Sequence, residues 1–266
     1  MMKKIVKSLV FGLIFLVVGC SKGVNDEIVK LGVVGQNNEV WEFVQEELKE
    51  EGIHLEIVSF SDFHQPNLAL LAGDIDLNSF QTHIFLEEFN EAQGENLTPI
   101  GDTVLAPLGI YSEAITDISQ LQEGDQIAVP NDPTNQGRAL NLLQTAGLIK
   151  VDPTVGNRAG VADIVENNLN LTIIELDASQ TARSLRDVEA AVINNGMAVD
   201  AGFIPSQDAI FLELVDENSA PYINCIVTRY EEVNNEVYQK IVGIYQREAT
   251  KEVIAEVSKA SSIPAW

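Results

Sequence analysis

The sequence predicts an α/β fold, and three observations carry that expectation. Short apolar runs with strand periodicity alternate with runs of helical periodicity, and glycine, proline and asparagine punctuate the changes from one to the next. With 45% hydrophobic residues over 266 positions, the chain can bury a sizeable core, as one large domain or as two lobes.

The elements follow in order. Ile28 to Val34 reads as a strand. Val40 to Glu50 reads as a helix, because Val40, Trp41, Val44 and Leu48 fall on one face and Gly52 ends it. Ile53, Leu55 and Ile57 alternate with polar neighbours, which makes 53 to 59 a second strand. Pro66 stands where a first helical turn tolerates it, and Gln65 to Ala72 continues as a short helix. Phe80 to Glu91 reads as another helix, and 104 to 111 as extended chain. After a connection from Asp117 to Asp125 the alternation resumes. Gln126 to Val129, Leu171 to Glu175 and Ala190 to Ile193 are strands; Gly137 to Ala146, stopped by Gly147, and Ser179 to Leu185 are helices. Ile226 to Thr228 is a strand, followed by amphipathic helices at about 234 to 246 and 249 to 259. Such an order predicts parallel sheets covered by helices, with ligands at the carboxyl ends of the strands.

Residues 1–19 carry a different signal. Lys3, Lys4 and Lys7 form a cationic start, Leu9 to Val18 is apolar apart from Gly12, and Val17-Val18-Gly19-Cys20 follows. The run is shorter than the ~20 residues a bilayer core requires, so it predicts a signal peptide rather than a span. Cleavage before Cys20 leaves that cysteine as an acylated N-terminus, and stable tethering needs more than one acyl group on it. The competing picture, a buried helix that ends in cysteine, fits this order of charge and hydropathy poorly. Residues 20–27, through Ser21-Lys22-Gly23-Val24-Asn25-Asp26-Glu27, read as a lipidated tether, which places the folded part outside the cytoplasm and on the membrane through its lipid alone.

The formal charge is −24, and loss of the three leader lysines makes the remainder three charges more negative. Such a field repels phosphate backbones and anionic lipid headgroups, which argues against nucleic acid as a partner and against a broad membrane-lying face. Besides Cys20 the chain has only Cys225, so no disulfide can staple the fold.

Catalytic signals are sparse. His54, His64 and His83 have no Cys, Asp or Glu at metal-ligand spacing, and no cofactor motif appears. There is no nucleophile elbow and no phosphate-cradling glycine loop, which lowers the expectation of an enzyme without removing a surface hydrolase from consideration. The acidic pairs Asp74/Asp76 and Glu87/Glu88 suit a solvated face better than acid-base work.

The segment Ala128 to Leu140 is the most informative. A strand ends, a loop dense in Asn, Asp and Pro follows, and a helix opens with free backbone N–H groups facing that loop. Such a start attracts an anion, and Arg138, placed in the first turn, can add a fork for a carboxylate. An N-capped turn with Arg138 paired to a surface acid explains the same residues equally well. Phe60-Ser61-Asp62-Phe63 and Phe80-Gln81-Thr82-His83-Ile84-Phe85 concentrate aromatics, which suits a core more often than a pocket. Asn194 and Asn224 stand at strand ends, where asparagine makes turns and also suits an ammonium or carboxylate.

Taken together, Phe60-Ser61-Asp62, Gly73-Asp74-Ile75-Asp76, Pro130 to Asn135 with Gly137-Arg138, Ala146 to Lys150, Asp163 to Asn167, Ala191 to Asn194, Ala220-Pro221-Tyr222 with Asn224, and Ile263-Pro264-Ala265 resemble the methionine-binding lipoproteins of ABC importers, the MetQ or NlpA family. The resemblance covers nearly all of the chain after the leader. It implies a periplasmic-binding-protein-like fold, two α/β lobes joined by two crossover strands with the ligand cleft between them. The crossovers are expected near Leu105 to Gly109 and near Tyr222 to Val227, giving one lobe from 28–107 plus 228–266 and a second from 108–227. It further implies a non-enzymatic receptor that captures L-methionine, or another small apolar amino acid or Met-containing dipeptide, and delivers it to an ABC permease driven by its ATPase. An adhesin displaying the same fold is the alternative from another class.

By the same resemblance, Arg138 grips the ligand carboxylate, Asn135 is a polar contact beside it, and Asn194 and Asn224 hold the amino-acid head group. Phe80 forms an aromatic wall with Phe63 and Phe85, where family members often carry tyrosine. Thr82 departs from the usual Phe-Gln-His. Placed in a helix, His83 would be turned by ~100° from Thr82 and would not substitute for it.

Overall fold

Alternating side chains build two sheets, each sealed on both faces. The computed structural model describes residues 28–266; the predicted leader, Cys20 and the tether lie outside the described residues. The first part runs β1 (Ile28–Val34), α1 (Glu39–Glu50), β2 (His54–Phe60), α2 (Gln65–Ala72), β3 (Leu77–Thr82), α3 (His83–Gln93) and β4 (Thr98–Leu105). The middle continues with β5 (Gly109–Tyr111), β6 (Gln126–Pro130), α4 (Pro133–Thr145), β7 (Lys150–Val151), β8 (Ile164–Glu166), β9 (Thr172–Leu176), α5 (Ala178–Ser184), β10 (Ala190–Ile193), α6 (Asn195–Asp200), α7 (Pro205–Asp208) and β11 (Phe211–Leu212). The end supplies β12 (Ile223–Thr228), α8 (Glu236–Tyr245), α9 (Glu248–Val257) and β13 (Ile263–Pro264).

One large sheet has the order β13-β4-β12-β3-β1-β2, the other β11-β5-β10-β6-β9, and β7 and β8 form a separate antiparallel pair. The expected parallel pairing holds for β1 with β2 and β3, and for β6 with β9 and β10. Both sheets are nevertheless mixed, because β12 runs antiparallel to β3 and β4, and β5 antiparallel to β10 and β11.

The chain crosses between sheets through 106–108 and again through 213–222. The first crossing lies where it was expected. The second lies earlier, since β12 pairs wholly within the first sheet and 223–227 therefore does not belong with the second. Cys225 is a buried free thiol on β12, and burial pushes its pKa up to about 12, with Asp102 adding to the shift.

Period-two alternation decides which face each residue seals. Leu31, Val33 and Ile226 pack with Trp41, Val44 and Leu48 of α1 and with α8 and α9, whereas Cys225 and Val227 point to the opposite face with Leu70, Ile75 and Leu86. In the second sheet Ile127, Val129 and Val192 pack against Leu140 and Leu143 of α4, while Ala128, Ala191 and Ile193 face Leu185 and Ala198.

Two expected elements change identity. Residues 80–82 are strand rather than helix, and β3 escaped notice because Asn78 and Gln81 occupy buried positions where apolar residues would mark a strand. Both are satisfied with buried Asn67: Asn67 Nδ2 donates to Gln81 Oε1 at 2.8 Å, and Asn78 Nδ2 and Gln81 Nε2 donate to Asn67 Oδ1 at 2.9 and 2.7 Å. α4 begins at Pro133 rather than Gly137, with Asp132 capping it by accepting from Asn135 N at 3.0 Å.

Gly137 is therefore inside a helix, and its missing side chain serves packing. A Cβ there would lie 2.0 Å from the carbonyl oxygen of Asn157. Gly137→Ala, which raises intrinsic helix propensity, should instead lower stability by ~1–3 kcal/mol in thermal or urea unfolding. Unchanged or increased stability would mean that 157–159 gives way without cost.

Candidate functional site

All eight residues singled out in the sequence, Phe63, Phe80, Thr82, Phe85, Asn135, Arg138, Asn194 and Asn224, line one cavity of about 250 Å³ between the sheets. Trp41, Gln81, Met197 and Asp200 share its wall. Its two ends differ in chemistry.

The apolar end is a mutual contact of three phenylalanines. Phe63 and Phe80 stack with centroids 6.0 Å apart, and Phe85 meets them edge-on at 6.2 and 5.8 Å. Phe80 comes from β3, Phe85 from α3 and Phe63 from the β2–α2 loop, so the strand-to-helix turn at Thr82 sets the angle between two of the rings. Thr82 is the N-cap of α3, and its Oγ1 accepts from Phe85 N at 3.3 Å. The helical offset expected between Thr82 and His83 does not apply, because only His83 is helical. His83 still does not line the cavity; its Nε2 lies 2.7 Å from Asp102 Oδ1.

The polar end is organised by Arg138, which is in the second turn of α4 and 5% exposed. Both alternatives left open by the sequence are combined there: Arg138 is paired with an acid and also faces the cavity. Its Nε donates to Glu213 Oε1 at 2.9 Å, and its Nη2 donates to Glu213 Oε2 and to Ala106 O. Glu213 Oε2 also accepts from Leu108 N at 3.0 Å. The Tyr222 ring covers the guanidinium at 4.4 Å, and its hydroxyl pKa is raised, mainly by burial. Of five guanidinium N–H bonds, the two on Nη1 remain for a carboxylate in the cavity.

A chain of hydrogen bonds then assigns polarity. The Asp132 carboxylate can only accept, and its pKa is raised by burial against the opposing bonds from Asn135 and Thr134. Asn135 Nδ2 donates to both of its oxygens at 3.0 Å, which leaves Asn135 Oδ1 as an acceptor for Asn194 Nδ2 at 2.7 Å. Asn194 Oδ1 is thereby left buried without a partner, an acceptor held ready for a donor. Asn224, on β12, likewise commits its Nδ2, donating to Val104 O at 3.2 Å. Two amide acceptors and one cation suit the ammonium and carboxylate of a zwitterion, and the phenylalanines suit an apolar side chain.

Glu213, Tyr222 and Trp41 were not anticipated as site residues. Glu213 looks like any surface acid in the sequence; only the crossing of 213–222 over α4 makes it the partner of Arg138. Among the described residues no cluster of His, Cys, Asp and Glu is arranged to hold a metal ion.

A cleft between two α/β lobes with an apolar wall and a zwitterion-sized polar end defines a ligand-capturing protein of the periplasmic-binding-protein class. Comparison with known proteins agrees. The family model described as NlpA lipoprotein matches residues 29–266. The D-methionine-binding lipoprotein MetQ of Escherichia coli K12 is 41% identical over 254 residues, 94% of this chain and 93% of the relative. A nutrient-binding protein from Burkholderia cenocepacia solved bound to methionine superposes with a TM-score of 0.86 at 41% identity, covering 90% of this chain and 100% of that one. The substrate-binding protein of a methionine transporter from Streptococcus pneumoniae gives 0.85 at 40%, covering 90% and 96%. The chain belongs to the NlpA lipoprotein family.

Glu213→Gln removes the charge that balances Arg138 and disturbs the orientation of its fork. Ligand affinity should fall about tenfold, with a fold that still melts cooperatively, as truncating one side of a buried charged pair does. Calorimetric titration checks it, and affinity within a factor of two of wild type would show that Arg138 needs no such support.

Proposed function

We propose that this protein is a non-enzymatic, lipid-anchored receptor that captures L-methionine and delivers it to an ABC permease driven by a cytoplasmic ATPase. The observation that carries the ligand is the pairing, in one cavity, of an Arg138 Nη1 with free donors, an unpartnered Asn194 Oδ1 and a wall of three phenylalanines. A flexible thioether packs well against ring edges, for ~0.3–1.5 kcal/mol per contact. The Burkholderia neighbour holds methionine, the Streptococcus neighbour is the substrate-binding protein of a methionine transporter, and the Escherichia relative is named for D-methionine. Phe63, Phe80 and Phe85 would take the side chain, with Thr82 at the edge of that wall. Arg138 would take the carboxylate, Asn135 would support the site by orienting Asn194, and Asn194 and Asn224 would take the ammonium.

The anchor belongs to the same proposal. Acylated Cys20 would hold the lobes on the outer face of the cell membrane, and a tether of residues 21–27 reaches at most ~24 Å, which keeps them beside a permease in that membrane. Another small apolar amino acid or a Met-containing dipeptide is the second candidate, favoured by Thr82, whose hydroxyl is occupied in capping α3.

Calorimetric titration of the purified chain against the twenty amino acids, with D-methionine included, tests the ligand. Tight binding of L-methionine is expected, and Arg138→Ala should weaken it by ~2 kcal/mol or more, roughly 30-fold. Failure to bind methionine together with tight binding of another compound would refute the ligand and leave the receptor. Unchanged affinity in Arg138→Ala would refute the carboxylate grip.

A further inference from the structure

Besides the crossings, the two lobes meet in several places: Arg158 pairs with Glu88 and Glu91, His64 lies near Asp177, Asn195 donates to Ser261 O, and α6 faces the loop between β1 and α1. We propose that Asp200 is a latch of the closed cleft, its carboxylate clasping the backbone N–H groups of Gln36 and Asn37 on the opposite lobe so that parting of this clasp speeds ligand release. Closure has this meaning only within the receptor function proposed above; the identity of the ligand does not enter.

Gln36 N donates to Oδ2 at 3.1 Å and to Oδ1 at 3.3 Å, and Asn37 N donates to Oδ1 at 3.1 Å. These amides precede α1, whose N-cap Asn38 makes no side-chain cap and instead turns its Nδ2 to Ser59 Oγ at 3.1 Å. Asp200 thus meets amides just upstream of the cap and brings negative charge near the positive end of a 12-residue helix.

The receiving loop is shaped for this contact. Gly35 has φ of 93°, and a Cβ on it would stand 2.3 Å from Asp200 Oδ2, so backbone conformation and space both exclude a side chain where the carboxylate arrives. Asp200 also ends the helix whose N-cap is Asn194. One short rigid element therefore carries an acceptor for the ligand at one end and the clasp at the other, and Asp200 itself lines the cavity. A ligand that seats Asn194 seats Asp200 with it.

The test uses the full folded chain and two measurements. In the first, exchange of the Gln36 and Asn37 amide protons is followed by NMR in the protein as purified. Exchange should be faster in Asp200→Ala than in wild type, and equal exchange would overturn the clasp without reference to any ligand. In the second, L-methionine dissociation is followed by stopped-flow fluorescence of Trp41, which lines the cavity.

Asp200→Ala should speed dissociation about five- to tenfold, the modest figure reflecting an exposed contact, while the ligand-free melting temperature stays unchanged. Asp200→Asn, which keeps an acceptor oxygen, should fall between. Gly35→Ala should also speed release, and adding Asp200→Ala to it should change release less than Asp200→Ala does alone, because both remove one contact. Dissociation within twofold of wild type in Asp200→Ala, or a fall in the ligand-free melting temperature that accounts for it, would overturn the role in retention. If wild type ignores L-methionine, the ligand proposal fails instead, and the dissociation arm is run with the amino acid that calorimetry selects.

Discussion

The buried guanidinium of Arg138 is the interaction on which the rest of the cleft depends. A cation at 5% exposure is strongly unfavourable unless its charge and its donors are met. Glu213 meets the charge, Ala106 O takes a further donor, and Tyr222 covers the face. Those partners come from both segments in which the chain crosses between the lobes, while Arg138 itself stands on α4 of the second lobe. Satisfying one side chain therefore ties both crossings to the helix that borders the ligand. What is left over, the two N–H bonds of Nη1, is the part of the group the protein does not use on itself.

The same logic of partial satisfaction runs through the polar end of the cavity. Asp132 has no donor, which forces the orientation of Asn135, which in turn forces that of Asn194. An amide that might present either end to a ligand is thereby committed to presenting oxygen. By contrast, the side-chain amides of Asn67, Asn78 and Gln81 satisfy one another, and although Gln81 borders the cavity its amide is spent on stiffening β3 against α2. Buried polar groups that close on themselves support the site, and those left with one open valence form it.

Much of the architecture was legible because periodicity and punctuation agree with burial. α2 and β10 lie where they were expected, and α1 buries three of the four residues on its expected face, Trp41, Val44 and Leu48. β3 was misread because its interior carries amides, and a pattern search for apolar alternation is blind to a polar core that satisfies itself. The start of α4 was misread because a loop dense in Asn, Asp and Pro conceals a capped helical turn, in which Pro133 and Asp132 are first-turn residues. The second crossing was misplaced because a strand inside a sheet and a strand leading out of one have the same composition.

By itself the sequence determined the α/β class, through hydrophobic period, and the family blocks, whose resemblance pointed to eight residues that the fold brings to one cavity. Only the tertiary structure decided how those residues are used. That Arg138 is shared between Glu213 and the cavity, that Asn194 presents its oxygen, that Gly137 yields room to Asn157 and that Asp200 reaches Gln36 all depend on residues 20 to 164 positions apart in the chain or on carbonyls and amides that every residue carries. Charge balance and close packing act through space, and no local pattern records which distant group will arrive.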